Sequence, residues 1–450
     1  MKSVVKIFVF LAFFAAIPGS SAAVSQPPVL RSASDAGGST PNPQPLPAFP
    51  TAEGFGARAS GGRGGDTYVV TTINDSGPGS FRDAVSKGHR IVIFSVGGVI
   101  KLKSNVSVAS DITLAGQTAP GDGIAFYGHS VSFSGSSNVI VRFLRFREGI
   151  GGDRGKCSVN IAGGANMIFD HVSIQWGRWD CLGVTQGSHD ITFQNCIIGE
   201  AIDPQRFGAL VDSVTRVTLS HNLWLHNQSR NPKAKGTIQY INNVVYNWGV
   251  TGLVGGHSGA DHQLDAIGNY FIKGPSSNDR FLGQFTGTDK VFQKGNYADL
   301  DRDGQLNGRP VIETDFADSG GAPAFVTTPF LQPPVPVTVD SAEIAYQKII
   351  AGAGCSLHRD PVDARLIADL ASLGKQGRIV RDEAEAGGMG ELKGGKVPVS
   401  SAGDGISDDC KRAHGLDPKA SNVAKGDYNH DGYTNLEKYL NELAGDARAR

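Results

Sequence analysis

No charge of one sign prevails in this chain. Its 42 Lys and Arg face 43 Asp and Glu across 450 residues. A general affinity for nucleic acid or for a membrane surface is therefore excluded, and any basic site must be local. Long apolar runs are scarce as well. The one that stands out, Ile7 to Ile17, is shorter than the ~20 residues that span a bilayer. It follows Lys2 and Lys6 and precedes the small residues Ser20-Ser21-Ala22, the layout of an export signal over residues 1–22, so a secreted, extracellular and monomeric protein is expected. Methionine is almost missing, with three residues against sixty glycines, and Val, Ile, Thr, Ser and Asn abound. That balance suits short strands and tight turns rather than a helical bundle.

Residues 23–54, rich in Pro, Ser, Ala and Gly, read as a flexible linker. From Thr67 the chain runs as strand after short strand. Asn138-Val139-Ile140-Val141, Asn166-Met167-Ile168-Phe169, Asp190-Ile191-Thr192-Phe193 and Arg216-Val217-Thr218-Leu219 each set a turn residue before alternating apolar positions, at intervals of about 24 to 28 residues. A unit that small cannot bury its own inward face, so the coils must stack into a solenoid. A β-sandwich is the rival, but the hairpin turns it requires, such as Asn-Gly, are scarce. Helical spacing appears only later, over Ser341 to Ala353 and Asp360 to Ser372, in segments expected to pack against the solenoid or cap its open end. Asp427-Tyr428-Asn429-His430-Asp431-Gly432-Tyr433-Thr434-Asn435 resembles a calcium loop, although Lys438 stands at its twelfth position and Glu437 one place early. Asp299-Leu300-Asp301-Arg302-Asp303-Gly304 is a weaker match that lacks the terminal Glu.

The densest signal lies between His221 and Gly236, where Arg230 stands beside Pro232 and two lysines, Lys233 and Lys235, directly after a strand-like run. Such a cluster suits a polyanion. Together with Ile168-Phe169-Asp170-His171-Val172-Ser173 and Ile241-Asn242-Asn243-Val244-Val245-Tyr246-Asn247, it resembles the pectate lyase superfamily from about Phe55 to Ile272. The resemblance implies an all-β fold, a right-handed parallel β-helix over residues 55–320. A helical region (321–395) and a calcium-loop appendage (396–450) would follow. It also implies cleavage of polygalacturonate or a related uronan by β-elimination.

In that family the arginine of an Arg-x-Pro-x-x-Arg motif is assigned as the base. Arg230 and Pro232 match it, and Lys235 stands in place of the second arginine. Arg230 is thus the candidate catalytic residue, as base or as stabiliser of the enolate-like intermediate, since arginine is normally protonated. Arg206, one coil earlier, resembles in placement a family lysine that binds a substrate carboxylate. Lys233 and Lys235 complete the substrate-binding set. Asp170 and His171 match a structural motif and are left out of the catalysis.

Calcium is the cofactor the family implies, and here the ligand set is atypical: Asp180 and Glu200 are the expected ligands at the cleft, with Asp153 near, and Asp427, Asn429, Asp431 and Asn435 in the C-terminal loop. Cys157 and Cys181, in successive coils, and Cys355 and Cys410 are candidate disulfide partners, leaving Cys196 as a buried thiol; the sequence alone does not fix the pairing. Two other classes stay open beside the lyase. A glycoside hydrolase would need paired carboxylates, and a non-catalytic carbohydrate-binding solenoid would show neither activity.

Overall fold

The structure, a computed structural model, describes residues 45–446. The expected export signal and the first part of the expected linker lie outside the described residues. Among the described residues two parallel sheets, of 17 and 10 strands, run along the molecule, and an antiparallel pairing of Tyr297–Asp299 with Arg309–Pro310 ends the smaller one. The fold is a parallel β-helix, as the repeats require.

The register explains those repeats. Val139 pairs with Met167, Met167 with Ile191, Ile191 with Val217, Val217 with Ile238, Ile238 with Leu264 and Leu264 with Val291. One apolar column therefore runs through seven coils, all of it buried. The residue before each early member, Asn138, Asn166, Asp190 and Arg216, has a left-handed backbone with φ between 52° and 60°. Asparagine and aspartate tolerate that conformation because their side chains bond locally. A second corner repeats at Phe143, His171, Asn195, His221 and Asn242, and a third at Trp176, Glu200, His226 and Asn247. The three coils that begin at Asn166, Asp190 and Arg216 thus each turn three times in the same way.

At the second corner the buried amides of Asn222, Asn243, Asn269 and Asn296 form a ladder. Asn222 Oδ1 accepts the Cys196 N–H (2.8 Å), Asn243 Oδ1 that of Asn222 (3.1 Å), Asn269 Oδ1 that of Asn243 (2.8 Å) and Asn296 Oδ1 that of Asn269 (2.9 Å). Asp170 is also structural. It accepts from Arg142 Nε at 2.8 Å and pairs with His171 at 2.9 Å. Burial alone would raise its pKa, but the His171 and Arg142 charges outweigh burial and hold the carboxyl well below the usual range.

Three segments cover the coils, and two of them differ from expectation. Residues 45–54, the described part of the expected linker, are packed rather than flexible. Ala48, Phe49 and Ala52 bury themselves with Ile140 and Ile168 on the outer face of the larger sheet. The Gly56 and Phe55 amides donate to Thr192 Oγ1 (2.9 Å) and Thr218 Oγ1 (3.3 Å), and a Cβ at Gly56 would stand 1.9 Å from the Met167 carbonyl oxygen. Composition concealed this, because the hydrogen-bond partners are 136 and 163 residues away.

Among the described residues the helices are α1 (Phe81–Ala84), α2 (Ala342–Gly352), α3 (Pro361–Ala371), α4 (Asp408–Ala413) and α5 (Asn435–Leu443). None is long and apolar enough to cross a membrane. Ser341 caps α2, and Asp360 caps α3 ahead of Pro361. Both helices lie along the smaller sheet, where Ala342, Tyr346, Ile349, Leu366 and Leu370 pack on Leu225, Tyr246, Tyr270 and Ile272. The C-terminal segment is not a separate appendage. Ile406, Ala424, Leu436, Tyr439 and Leu440 share a core with Ile91, Ile93 and Ala115 of the early coils, and Arg142 joins Asp170, Asp446 (2.8 Å) and the Phe49 ring (3.8 Å).

Candidate active site

Arg230 leaves the coil after the strand Leu223–Leu225, with φ of 62°, at a turn that returns to the strand Lys233–Ile241. Three successive coils build its surroundings. Asp180 pairs in register with Phe207, and Phe207 bridges to Ser229. The guanidinium consequently lies 4.1 Å above the Phe207 ring, while its Nη1 stands 3.2 Å from both Asp180 oxygens. Asp180 is buried and Arg230 one-fifth exposed. Burial raises the Asp180 carboxyl to about 6 against the opposing pull of Arg230 and Lys233.

Lys233 and Lys235, two apart on one strand, share its half-exposed face. Lys233 lies 3.2 Å from His257 Nε2, and Lys235 Nζ donates to Asp212 at 3.0 Å. Burial, then the neighbouring Arg230 and Lys235 charges, lower the Lys233 pKa. Arg206 stands immediately before Phe207, paired with Asp203 at 3.1 Å, and its carbonyl accepts the Gln228 N–H at 2.6 Å. Arg230, Lys233 and Lys235 are thus gathered on one side of the helix, with Arg206 a coil away.

Sequence reasoning missed Glu148, Phe207, Asp212 and His257. Glu148 is fully buried, accepts the Arg178 N–H at 3.2 Å through Oε2, and has no partner for Oε1. Burial raises it to about 7. Its signal in the sequence was a lone acid between Arg147 and Gly149, which nothing distinguishes from a surface residue. Phe207 was legible in principle as an aromatic one coil before Arg230.

No protein-family model matches the chain. Curated relatives do. It is 44% identical over 402 residues to a probable pectate lyase C of Aspergillus terreus, covering 88% of this chain and 94% of that protein. It is 43% identical over 407 residues to the probable pectate lyase C of Emericella nidulans, covering 90% and 94%. The chain belongs to the pectate lyases. Among solved structures, the cedar-pollen allergen jun a 1 aligns with 67% of this chain and 92% of its own, at 20% identity and a TM-score of 0.49.

In this pectate lyase the residues expected to hold calcium do not fit the ion. Both Asp180 oxygens are engaged by Arg230. Glu200 projects on the side of the smaller sheet, where Oε2 accepts from Trp176 Nε1 (3.0 Å) and Arg365 Nη2 (2.6 Å). Asp153 pairs with His129. Coil spacing was legible, but which of three faces each carboxylate occupies was not.

The C-terminal loop does not fit calcium either, for a different reason. The Lys438 ammonium binds the Asp427 carboxylate, Asp431 Oδ1 (3.1 Å) and the Tyr433 carbonyl (2.6 Å). These are loop positions 1, 5 and 7, the points from which such a loop grips Ca²⁺. Asn429 donates to Asp431, and Asn435 bonds the Tyr428 N–H and the Val423 carbonyl. A tethered cation takes the place of the metal.

The cysteines form no disulfide. Cys181 turns Sγ inward to the Gly199 carbonyl (3.2 Å), whereas Cys157 Sγ lies against Gly183, with its pKa pushed up to about 12 by burial. Cys355 donates to the Phe143 carbonyl beneath α3, and Cys410 sits on α4 beside Glu442. Cys196 is a buried thiol on the inner face.

Proposed function

We propose that the chain is an exported lyase that cleaves polygalacturonate or a related uronan by β-elimination at Arg230. The observation that carries this reading is the cation set Arg230, Lys233 and Lys235 on one side of the coils, with Arg206 one coil before. Abstracting the C5 proton of a uronate leaves negative charge beside an existing carboxylate, and cations must offset both. In the reaction the C5–H bond breaks, its proton passes to a base, and the enolate collapses to a C4–C5 double bond. The C4–O bond breaks and its oxygen takes up a proton.

Arg230 serves as base or as stabiliser of the enolate. Its contact with Asp180 and Phe207 fixes the guanidinium plane, which favours the electrostatic role. Lys233, with its lowered proton affinity, and Lys235 face the substrate carboxylates, and Arg206 takes the neighbouring sugar. These side chains supply positive charge at the reacting sugar. A hydrolase is disfavoured because the acids near Arg230 are already paired, Asp180 with Arg230 and Asp212 with Lys235.

Incubation with polygalacturonate tests the reading. Products absorbing in the ultraviolet at their unsaturated ends are expected. New reducing ends without that absorbance would establish hydrolysis instead, and neither signal would leave only binding.

A further inference from the structure

Outside the cleft, one place brings three metal-binding donors together. Cys410 lies on α4 and His414 at its C-terminal cap, four residues on and so on the same face. Glu442 reaches them from α5. Its Oε1 stands 2.6 Å from His414 Nε2 and its Oε2 3.6 Å from Cys410 Sγ, and the three ligand atoms lie within 4.8 Å of one another. Among the described residues, no other group of three or more His, Cys, Asp or Glu side chains converges in this way.

We propose that Cys410, His414 and Glu442 form a binding site for a borderline transition-metal ion, Zn²⁺ above all, that clasps α4 to α5. Zinc bonds of roughly 2.0–2.3 Å to N, O and S in a tetrahedron space the ligand atoms about 3.3–3.7 Å apart. The Cys410–Glu442 separation of 3.6 Å already matches, and the hydrogen-bonded His414–Glu442 pair at 2.6 Å opens to admit the ion. A thiolate with an imidazole selects zinc over calcium or magnesium, which prefer oxygen alone. On binding, the Cys410 thiol proton leaves to solvent. The imidazole binds through the Nε2 lone pair as the neutral tautomer that carries its single proton on Nδ1. One thiolate and one carboxylate then balance the ion's two positive charges.

The surroundings suit this role. His414 stacks on the Tyr428 ring with centroids 4.7 Å apart, which fixes the imidazole plane. A cavity of about 180 Å³, lined by His414, Glu442, Tyr428, Asn441 and Asp431, leaves room for a water as fourth ligand. Lys438, whose ammonium fills the adjoining loop, stands 4.8 Å from the centre of the same Tyr428 ring. The loop that resembles a calcium site is thus closed by a lysine, and the donors beside it suit a softer metal.

The test uses the full-length protein with thiols reduced and metal stripped, titrated with Co²⁺ as a spectroscopic probe. One equivalent should produce a thiolate-to-cobalt charge-transfer band, and Zn²⁺ should displace it. Cys410→Ser should abolish the band, and His414→Ala and Glu442→Gln should each weaken binding at least about tenfold. Zn²⁺ should also raise the thermal midpoint of the wild type but not of Cys410→Ser, while turnover on polygalacturonate stays the same in all three variants. Absence of the band in the wild type would overturn the site. So would a band that persists in Cys410→Ser, or an equal midpoint shift with Ca²⁺.

Discussion

At Arg230 a single side chain is clamped from two sides, by an aromatic face and a carboxylate. A lysine keeps the charge but loses the plane that both contacts need. Arg230→Lys is therefore expected to cut kcat by about a hundredfold or more while leaving the circular dichroism unchanged. Near-normal turnover in the folded variant would take Arg230 out of the reaction. Glu148 gives a second expectation. Burial raises its folded pKa from 4.5 to about 7, so the folded protein holds a proton that the unfolded chain releases earlier. The stability this contributes is fully present below pH 4.5 and is lost as pH rises through 7. Glu148→Gln should flatten the fall of the thermal midpoint across that window and leave the variant the more stable protein at pH 8. A midpoint that falls just as steeply in the variant would count against it.

Among the elements, the C-terminal loop is the one whose chemistry the structure changes most. Lys438→Glu would restore the twelfth ligand of a calcium loop and remove the internal ammonium. Without calcium, the variant should lose about 1–3 kcal/mol of stability as Asp427 and Asp431 lose their counter-charge. Added Ca²⁺ should recover that loss, and calorimetry with and without chelator measures both. A variant indifferent to calcium would mean that the loop cannot open to the ion. The sequence disclosed much at this scale. Helices α2 and α3 begin and end within a residue of expectation, because Ser341 and Asp360 are caps whose hydrogen bonds are local. The repeats at Asn138, Asn166, Asp190 and Arg216 are true coil corners. What stayed hidden depends on distant partners. Phe49 and Gly56 acquire their burial from strands far along the chain, Glu200 finds Arg365 on α3, and Lys438 reaches back eleven residues to Asp427.

For the whole molecule, the shared core between the C-terminal segment and the early coils predicts cooperative behaviour. Ile406, Leu436 and Tyr439 bury Ile91 and Ile93, and Arg63 reaches Glu437 at 2.6 Å. The described residues form one compact unit. Calorimetry should accordingly show one unfolding transition, and proteolysis after Val397 should coincide with loss of the solenoid signal. An early, separate transition of the tail would restore the appendage that the sequence suggested.

The asparagine ladder bears on how such a molecule can change length. Each amide accepts from the backbone of the coil before it and donates to a carbonyl there, as Asn243 does to Leu219 and Asn269 to Tyr240. Losing one rung strands buried groups in two coils at a cost of about 1–3 kcal/mol, whereas inserting a complete turn with its own asparagine leaves every group partnered. Growth and shrinkage by entire turns is thus the heritable variation this architecture absorbs most easily. At Cys196 the rung is missing: its N–H is still received by Asn222, while its thiol turns to the Phe169 carbonyl. That position is the upstream terminus of the ladder.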